Sequence, residues 1–495
     1  MTFALRPYQV QIIDEARQAL RTSDTVVIQL PTGGGKTGIA AHILHAVTQK
    51  NKTAYFFCHR RELIEQSART FTDFGIPFGI ISAGYTPDRY APVQLCSVDT
   101  VKARLSRGIK LPIPSLVALD ECHHVSSAGW SRLVNSFPGA KVIGLTATPE
   151  RLDGKGLKPP FTSMVLGPTM RDLIDDGYLC PLVVYAPTHD PDLSAVDTVG
   201  GDFHRAQLAA AMGKTVLIGD AVEHYRSLCH KQPAIVFGVD RAHAAKSAEH
   251  FSAAYRSLMV DGTTDRRIRK DAVVALGDGR LDVLTSCDIF GEGVDVPRCS
   301  VAIMLRPTKS LPLYLQWAGR VTRPIYAPGF DLSTRAGRLA AIAAGPKPRA
   351  YILDHAGNCR VHGLPDDPRE WSLEGRRARQ KKAAAAPVTN AVRQCPKCYA
   401  MNPATVKACG ACGFAFPVTP RTVHEFDGKL HEVKSGGARV MPVTSDPVLQ
   451  MIQKMDYGHR LAWARTLDQL KIVAQACGYS QKWAYYNFQR RKKRA

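Results

Sequence analysis

A glycine-rich segment near the amino terminus limits the folds open to this chain more than any other feature. The segment PTGGGKT, residues 31–37, follows an apolar run of strand type and precedes a stretch whose apolar residues recur at helical spacing. Glycines at such a junction let backbone N–H groups converge on phosphate oxygens at a helix amino terminus. The segment therefore predicts a phosphate-binding loop, in a variant form because Leu30 replaces the opening glycine of the strict motif. A glycine-rich turn without a ligand is the alternative, which the flanking strand and helix disfavour.

Short apolar runs recur along the chain, and segments of helical periodicity separate several of them. The first series comprises residues 26–30, 54–58, 93–97, 116–120 and 142–145. The second series comprises residues 234–239, 282–285, 301–305 and 350–354. This rhythm is typical of parallel sheets covered by helices, so the sequence predicts two tandem α/β lobes.

Composition excludes several classes of protein. The chain has 495 residues, of which 45% are apolar and 22% charged, values that exclude a disordered, collagen-like or membrane-embedded chain. No apolar run approaches the ~20 residues that span a bilayer, and the start MTFALRPYQV lacks the apolar core of a signal peptide. We therefore expect a cytoplasmic protein that does not contact membranes.

The net charge of +22 is concentrated near the C terminus, where residues 369–495 contain 23 basic and 8 acidic side chains. Such an excess indicates a polyanionic partner. Two helices are expected at residues 461–477 and 481–491. The aromatic residues between 483 and 488 are flanked by basic ones, Lys482 on one side and residues 490–494 on the other. They either stack on nucleic-acid bases or pack inward between these helices.

An acidic pair follows the fourth run of the first series, where SLVAL leads into Asp120-Glu121-Cys122-His123. A carboxylate at a strand end can hold magnesium through water, and its neighbour can orient and deprotonate the attacking water. Downstream of a phosphate-binding loop, the pair predicts that Asp120 holds Mg²⁺ together with Thr37 and that Glu121 is the general base.

The thirteen cysteines fall into two groups. Nine are isolated and are expected to be small buried hydrophobic residues. The other four form two CxxC pairs, Cys395/Cys398 and Cys409/Cys412. This spacing is typical of one tetrahedral Zn²⁺ held by four thiolates, which leaves no open coordination position. A structural zinc ribbon is therefore predicted, with free thiols as the alternative.

Further motifs follow the order found in superfamily 2 helicases, and residues 1 to about 365 resemble the two RecA-like lobes of that superfamily. RPYQ at 6–9 resembles the adenine-reading segment. HRREL at 59–63 and CSVDTV at 96–101 resemble segments that touch the nucleic-acid backbone. TATP at 146–149 resembles the motif that couples hydrolysis to strand movement. The resemblance implies DNA contacts from Arg60, Ser97 and Thr100, and coupling roles for His123, Thr146 and Thr148.

Two motifs of the second half complete the resemblance. TSCDIFGEGVDVP at 285–297 resembles the segment that approaches the nucleotide, and QWAGRVTR at 316–323 resembles the arginine-finger motif, with Arg323 as the finger. A second-lobe arginine reaches the γ-phosphate only when the lobes close, which ties charge stabilisation to domain motion. The implied catalytic residues are Lys36, Asp120, Glu121, Gln316, Arg320 and Arg323. The implied nucleotide-binding residues are Arg6, Gln9, Thr32, Gly33, Gly34, Gly35, Lys36, Thr37, Gly293 and Asp295.

The motif details indicate a DExH-type, DNA-acting branch, because the positions that read Ala-Asp and Ser-Ala-Thr in DEAD-box RNA helicases read Cys-His and Thr-Ala-Thr here. With IMLRPT at 303–308, YILDHAGN at 351–358 and the ribbon, the chain resembles the bacterial RadD family of DNA repair helicases and phage-encoded relatives. The resemblance implies ATP, Mg²⁺ and structural Zn²⁺ as cofactors. It implies single-stranded or forked DNA and a single-stranded DNA-binding protein as partners.

The predicted domains are a first lobe with the ATP-binding site (1–165), a linker (166–202), a second lobe (203–365), a basic tether (366–390), the zinc ribbon (391–418) and a basic, partly helical C-terminal region (419–495). The predicted function is an ATP-dependent DNA helicase or translocase in DNA repair, recombination or replication. A double-strand DNA translocase that remodels DNA without processive unwinding and an RNA helicase are the alternatives. A non-catalytic clamp set by ATP is disfavoured by the general base and the arginine motif.

Overall fold

The computed structural model describes residues 5–124, 127–151, 154–187, 193–199, 202–212, 215–287, 296–375, 392–417, 446–455, 460, 463–476, 484 and 488. The chain divides into two compact units, Met1–Val418 and Thr419–Ala495. Among the helices in these ranges, none combines the length and apolarity needed to cross a membrane.

A seven-stranded sheet forms the centre of the first lobe. Its strands are β1 (Thr25–Gln29), β2 (Ala54–Cys58), β3 (Phe78–Ile81), β4 (Val93–Ser97), β5 (Leu116–Leu119), β6 (Lys141–Thr146) and β7 (Ser163–Leu166). They lie in the order β3-β4-β2-β5-β6-β1-β7, and every neighbouring pair is parallel. The lobe's helices are α1 (Pro7–Thr22), α2 (Lys36–Thr48), α3 (Arg61–Asp73), α4 (Val98–Ser106), α5 (Ser127–Asn135) and α6 (Met170–Asp175). Strands β1, β2 and β5 are buried at every position, as expected of parallel strands packed on both faces.

An eight-stranded sheet forms the centre of the second lobe. Its strands are β8 (Leu182–Tyr185), β11 (Ala234–Phe237), β12 (Ser257–Val260), β13 (Val283–Ser286), β14 (Val301–Met304), β15 (Ala350–Asp354), β16 (Val392–Gln394) and β17 (Ala400–Pro403), and a separate hairpin pairs β9 (Thr198–Val199) with β10 (Asp202–Phe203). The order is β12-β13-β11-β14-β15-β8-β17-β16. The helices are α7 (Arg205–Met212), α8 (Thr215–Cys229), α9 (Arg241–Ser252), α10 (Arg266–Asp278), α11 (Leu311–Gly319), α12 (Arg335–Ala343) and α13 (Asn358–His362). The two parallel-sheet α/β lobes confirm the predicted fold class.

Strand β8 corrects the linker expected at residues 166–202, because it lies inside the second sheet and pairs in parallel with β15. The segment LVVY is entirely apolar, and two of its four positions are buried, so it contributes core side chains. The linker prediction treated this short run as connection because it stands between proline-containing loops.

Residues 366–375 also differ from the expected tether, since they pack on the first lobe. The carbonyl of Leu373 accepts hydrogen bonds from the backbone N–H groups of Leu157 (2.8 Å) and Lys158 (3.2 Å). A Cβ at Gly156 would lie 1.9 Å from the Leu373 carbonyl oxygen, so glycine permits this approach. We name residues 366–375 the return segment. The remainder of the tether, from residue 376 to 390, lies outside the described residues.

The cysteine-containing module continues the second sheet rather than standing apart. Strand β17 pairs antiparallel with β8, with Ala400 opposite Tyr185 and Met401 opposite Val184. Strand β16 pairs antiparallel with β17 at the sheet edge. The module therefore shares backbone hydrogen bonds with the second lobe.

The C-terminal unit contains helices α14 (Pro447–Lys454) and α15 (Leu467–Ala476). Asp446 caps α14 by accepting hydrogen bonds from the backbone N–H groups of Val448 and Leu449. Phe488 packs against the apolar cluster of this unit, as the inward-packing alternative predicts for that residue. Helix α15 lies within the helix expected at residues 461–477. Most of the helix expected at residues 481–491 lies outside the described residues.

Candidate active site between the lobes

The glycine-rich loop connects the carboxyl end of β1 to α2. Gly33 and Gly35 both have φ of +87°, which only glycine adopts readily, and Gly35 immediately precedes the first residue of α2, Lys36. The loop therefore directs a helix amino terminus and its N–H groups toward the space above the sheet. Leu30 is fully buried beneath the loop and leaves no room for a Cβ at Gly34, which would lie 2.7 Å from Leu30 Cγ. The leucine that replaces the expected glycine thus supports the loop from below.

The adenine-reading segment braces this loop from the opposite side. Gln9 Nε2 donates to the carbonyl oxygens of Gly34 (3.3 Å) and Gly35 (3.5 Å), and the Tyr8 hydroxyl donates to Gly34 (2.8 Å). Arg6 Nη1 donates to the Tyr8 hydroxyl at 2.9 Å, and Gln9 Oε1 accepts from the Arg6 backbone N–H at 2.9 Å. The structure thus places the predicted Arg6 and Gln9 at the loop. Tyr8 was missed, although it stands between them in the RPYQ motif.

The acidic pair lies at the carboxyl end of β5, facing the loop. Glu121 Oε1 is 3.3 Å from Lys36 Nζ, and Glu121 Oε2 is 3.5 Å from His123 Nδ1. Glu121 has φ of +44°, a left-handed conformation that is uncommon outside glycine and costs roughly 1–3 kcal/mol. Oε2 is buried and makes no hydrogen bond to the described residues. This carboxylate oxygen is therefore available to orient a water molecule next to a bound phosphate.

His123 connects this carboxylate to the TATP motif. His123 Nδ1 is 2.8 Å from Thr146 Oγ1, while the Thr146 hydroxyl donates to the Thr148 carbonyl oxygen (2.8 Å) and accepts from the Thr148 N–H (3.0 Å). Because the Thr146 proton is committed to Thr148, the Nδ1 of His123 must be the donor, and its Nε2 is an acceptor. The three residues predicted to couple hydrolysis to movement thus form one buried network.

Gln316, on α11 of the second lobe, joins that network. Its Nε2 is 3.3 Å from His123 Nε2, where the amide donates to the imidazole nitrogen. The two lobes are therefore linked by a hydrogen bond between two motifs that are 193 residues apart.

The arginine motif packs directly on the phosphate-binding loop. A Cβ on Gly319 would lie 2.3 Å from Thr32 Cβ, and a Cβ on Gly33 would lie 3.9 Å from Arg323 Cγ. Burial lowers the pKa of Arg323 to about 10, so the guanidinium stays charged at neutral pH. Arg320 follows α11 directly, at its C-cap. The structure thus brings Thr32, Gly33 and Arg323 together, whereas Gly293 and Asp295 lie outside the described residues.

For the residues predicted to bind Mg²⁺ and DNA, the structure gives their positions on the helices and strands. Thr37 lies in the first turn of α2, and Asp120 is buried at the end of β5. Arg60 precedes α3, and the Ser97 hydroxyl caps α4 by accepting from the Thr100 N–H at 3.5 Å. Arg60 follows β2 and Ser97 is the last residue of β4. These strands are adjacent, so both residues lie at one edge of the sheet.

A groove of about 440 Å³ lies at the carboxyl ends of β11, β12 and β13 in the second lobe. Arg205 and Arg241 line it together with Asp240 and Asp261. Arg241 pairs with Asp261, and its Nη2 donates to Thr263 Oγ1 at 2.8 Å. The sequence interpretation missed this groove. The signal that could have found it is the pair of polar segments that follow strands, VDRAH and VDGTTD.

The four paired cysteines converge as the spacing predicts. Their sulfur atoms all lie within 4.8 Å of one another, with 3.7 Å between Cys395 and Cys412 and 3.6 Å between Cys398 and Cys409. Zn–S bonds of about 2.3 Å in tetrahedral geometry place sulfurs about 3.8 Å apart. The observed separations match that value and are too long for disulfides. The donor set therefore fits one Zn²⁺.

Comparisons with known proteins agree with this geometry. Residues 2–151 match the family described as type III restriction enzyme, res subunit, and residues 220–324 match the helicase conserved C-terminal domain. A 51.5 kDa protein of a Lactococcus phage is 31% identical over 401 residues, which cover 79% of this chain and 78% of that protein. The DNA 3'-5' translocase XPB2 of Sulfurisphaera tokodaii is 27% identical over 366 residues, which cover 64% of this chain and 78% of that protein.

Other relatives are longer, and the chain spans 49% and 55% of the length of two yeast proteins. Among solved structures, the ATP-dependent type ISP restriction-modification enzyme LlaBIII bound to DNA has a TM-score of 0.51 at 15% identity, over 71% of this chain and 28% of that one. This likeness shows the fold. The narrower resemblance to the RadD family stays a prediction. The matches to both lobes and to the phage relative establish that the chain belongs to the superfamily 2 DExH-type ATP-dependent helicases.

Proposed function

We propose that this chain is a DNA motor that couples hydrolysis of Mg-ATP to movement along DNA or to its unwinding. The observation that carries the proposal is the continuous chain of contacts from Lys36 through Glu121 and His123 to Gln316. It connects the phosphate-binding loop to the second lobe through the general base. Binding or loss of a phosphate at the loop would therefore alter the contacts between the two lobes.

The residues around the loop fit a nucleotide and its metal ion. The helix amino terminus behind Gly35 and the Lys36 ammonium provide positive charge for the phosphates. Thr37 and Asp120 would hold Mg²⁺, whose role when bound is to neutralise phosphate charge. Gln9 and Arg6 would contact the base from the segment that already braces the loop.

The catalytic step in this proposal belongs to Glu121. Its Oε1 pairs with Lys36, so a phosphate that attracts the lysine weakens this ion pair and frees the carboxylate. The other oxygen lies 3.5 Å from His123 Nδ1, makes no hydrogen bond to the described residues and remains available to a water molecule. Glu121 then orients the attacking water and accepts its proton. Arg323, and with it Arg320, stabilises the developing charge from the second lobe.

DNA is proposed to cross the carboxyl edges of both sheets. Arg60, Ser97 and Thr100 supply contacts from the first lobe, and the groove beside Arg241 supplies them from the second. The positive charge of the chain strengthens phosphate binding without selecting sequence. Roles in repair, recombination or replication, a single-stranded DNA-binding protein as partner, and structural Zn²⁺ in the ribbon belong to the same proposal.

The deciding experiment measures ATP hydrolysis by the whole chain with no nucleic acid, single-stranded DNA, forked duplex or RNA, at low and moderate salt. DNA should stimulate hydrolysis, and salt should reduce the stimulation because phosphate contacts release counterions. Lys36→Ala serves as the inactive control. Stimulation by RNA alone would replace DNA with RNA in the proposal. A forked-duplex unwinding assay beside a triplex-displacement assay separates a helicase from a double-strand translocase.

A further inference from the structure

A second cavity lies on the second lobe, away from the phosphate-binding loop. Its volume is about 610 Å³, within the range of about 300–1,000 Å³ typical of small-molecule sites. It lies where β8 and β15 end, between α8 and the hairpin that contains the first cysteine pair. None of the described residues assigned to ATP, Mg²⁺ or DNA above lines this cavity.

The lining of the cavity is aromatic. The rings of His224 and His355 stack with centroids 5.1 Å apart and an interplanar angle of 24°. Tyr185 and Tyr399 line the same space, and Tyr399 is 63% exposed. Exposed aromatic rings beside a cavity are the surfaces on which unpaired bases stack.

His355 gives the cavity a polar side chain that the described part of the protein leaves open to a ligand. The side chain is 7% exposed, and its ring nitrogens have no hydrogen-bond partner in the part of the chain that the structure describes. Burial, and then the neighbouring His224, lower the pKa of His355 to about 3, so the ring is neutral and offers one donor and one acceptor. Neither ring nitrogen is fully buried, so each can hydrogen-bond to water or to a ligand in the cavity.

The charge of the lining selects against phosphate. Among the described residues that line the cavity there is no lysine or arginine. The carboxylate of Asp354 is already paired, since it accepts from Asn358 Nδ2 (3.1 Å) and the Cys359 N–H (2.7 Å). A neutral, flat, hydrogen-bonding ligand therefore fits better than a nucleotide phosphate.

The position of the cavity connects it to the proposed DNA path. Strands β11 and β15 flank β14 in one parallel sheet, so their carboxyl ends lie on the same edge, about 10 Å apart. The groove beside Arg241 lies at the first of these ends, and the aromatic cavity at the second. We propose that the cavity captures one unstacked nucleobase of the DNA strand that the motor holds, an inference that rests on the proposed function.

Photocrosslinking tests the capture. Single-stranded oligonucleotides with one 5-iododeoxyuridine, moved along the sequence, are irradiated with the whole chain, and the crosslinked peptides are identified by mass spectrometry. We expect a crosslink at Tyr399 or Tyr185 from a narrow set of positions. Tyr399→Phe keeps the aromatic ring, so it should still bind the base in the cavity. Oligonucleotide affinity with and without an abasic nucleotide measures this binding. Tyr90→Ala, which removes a tyrosine that is 98% exposed on the first lobe, should leave the crosslink unchanged.

An abasic nucleotide at the crosslinked position provides the second readout. It should lower oligonucleotide affinity at least fivefold in the wild type but less than about twofold in Tyr399→Ala, because the base and the ring contribute the same contact. Equal losses in both proteins would overturn the proposal.

The two proposals fail separately. DNA-stimulated hydrolysis without a crosslink in the cavity would reject base capture and leave the motor function standing. A crosslink at Tyr399 with no effect of DNA on hydrolysis would reject the motor function and leave a base-binding site.

Discussion

Gln316 in the second lobe lies 3.3 Å from His123 in the first, nitrogen to nitrogen, and both side chains are buried. The hydrogen bonds of Thr146 fix the proton of His123 on Nδ1, so the nitrogen that faces Gln316 is an acceptor. The amide of Gln316 is therefore a matched donor. A bond between the lobes thus depends on the same imidazole that lies beside the proposed general base.

Gln316→Leu should uncouple hydrolysis from DNA. Leucine keeps much of the volume but removes the hydrogen bond that Gln316 donates to His123 Nε2, a change worth about 1–3 kcal/mol. We expect the stimulation of kcat by DNA to fall about tenfold or more while the affinity for ATP changes little. Steady-state hydrolysis with and without single-stranded DNA measures both effects. Gln11→Leu, at an exposed position of α1, is the matched control, and equal behaviour of the two variants would contradict the coupling role.

Glu121→Gln should separate nucleotide binding from hydrolysis. The amide preserves shape but cannot accept the proton of the attacking water, so kcat should fall by about 10²–10⁴. ATP affinity should be retained, because the phosphate contacts come from the loop and Lys36. Stopped-flow binding of a fluorescent ATP analogue and a phosphate-release assay give the two numbers. Wild-type hydrolysis by this variant would show that another group is the base, and Glu15→Gln on the surface of α1 controls for the charge change.

Arg323→Ala should lower kcat by about 10³ with a small change in KM, because a charge that acts in the transition state is lost. Arg320→Ala, three residues earlier, tests which arginine is the finger. Arg323 is favoured because a Cβ built on Gly33 would lie 3.9 Å from Arg323 Cγ, which places this arginine beside the phosphate-binding loop. Arg335→Ala, which removes an exposed arginine of α12, controls for loss of positive charge. A larger loss in Arg320→Ala than in Arg323→Ala would reverse the assignment.

The sequence predicted the parts of the site that depend on short-range order. Each motif follows a strand of a parallel sheet, and the carboxyl ends of such strands share one edge, so Lys36 and Glu121 had to lie near one another once their strands were recognised. The spacing of Cys395, Cys398, Cys409 and Cys412 fixed their convergence in the same local way.

The parts that were missed depend on pairing between distant segments. The contact of Leu373 with Leu157 and the pairing of Met401 with Val184 join segments more than 200 residues apart. Backbone hydrogen bonds of this kind leave no periodicity in the sequence, so the return segment and the continuous eight-stranded sheet could be seen only in three dimensions.

Cys395→Ser should remove zinc from the protein. Three remaining thiolates bind Zn²⁺ much more weakly than four, and the ribbon has too small a core to fold without metal. We expect metal analysis to fall from one zinc per chain to none, with hydrolysis in the absence of DNA largely retained. Cys229→Ser, which changes a buried cysteine outside the cluster, should keep its zinc. Equal metal content in wild type and Cys395→Ser would reject the zinc site.

The burial of Lys347 leads us to expect that the stability of the second lobe depends on pH. Its ammonium is 2% exposed and donates to the carbonyl oxygens of Pro297 (2.8 Å) and Cys299 (2.6 Å). Burial lowers its pKa to about 8, whereas an unfolded lysine titrates near 10.4. Between these values the unfolded chain binds more protons than the folded one, so stability rises with pH, by about 3 kcal/mol over the interval.

Lys347→Met removes the titrating group, so its stability should lack the rise between pH 8 and 10 that Lys347 gives the wild type. The stability of the wild type minus that of the variant, which we call the gap, should stay constant below pH 8 and increase from pH 8 to 10, because only the wild type gains stability there. Thermal unfolding midpoints of both proteins across pH 7–10 measure the gap, which should grow by roughly 6 °C. A gap that stays constant across this range would show that Lys347 titrates alike in the folded and unfolded chains.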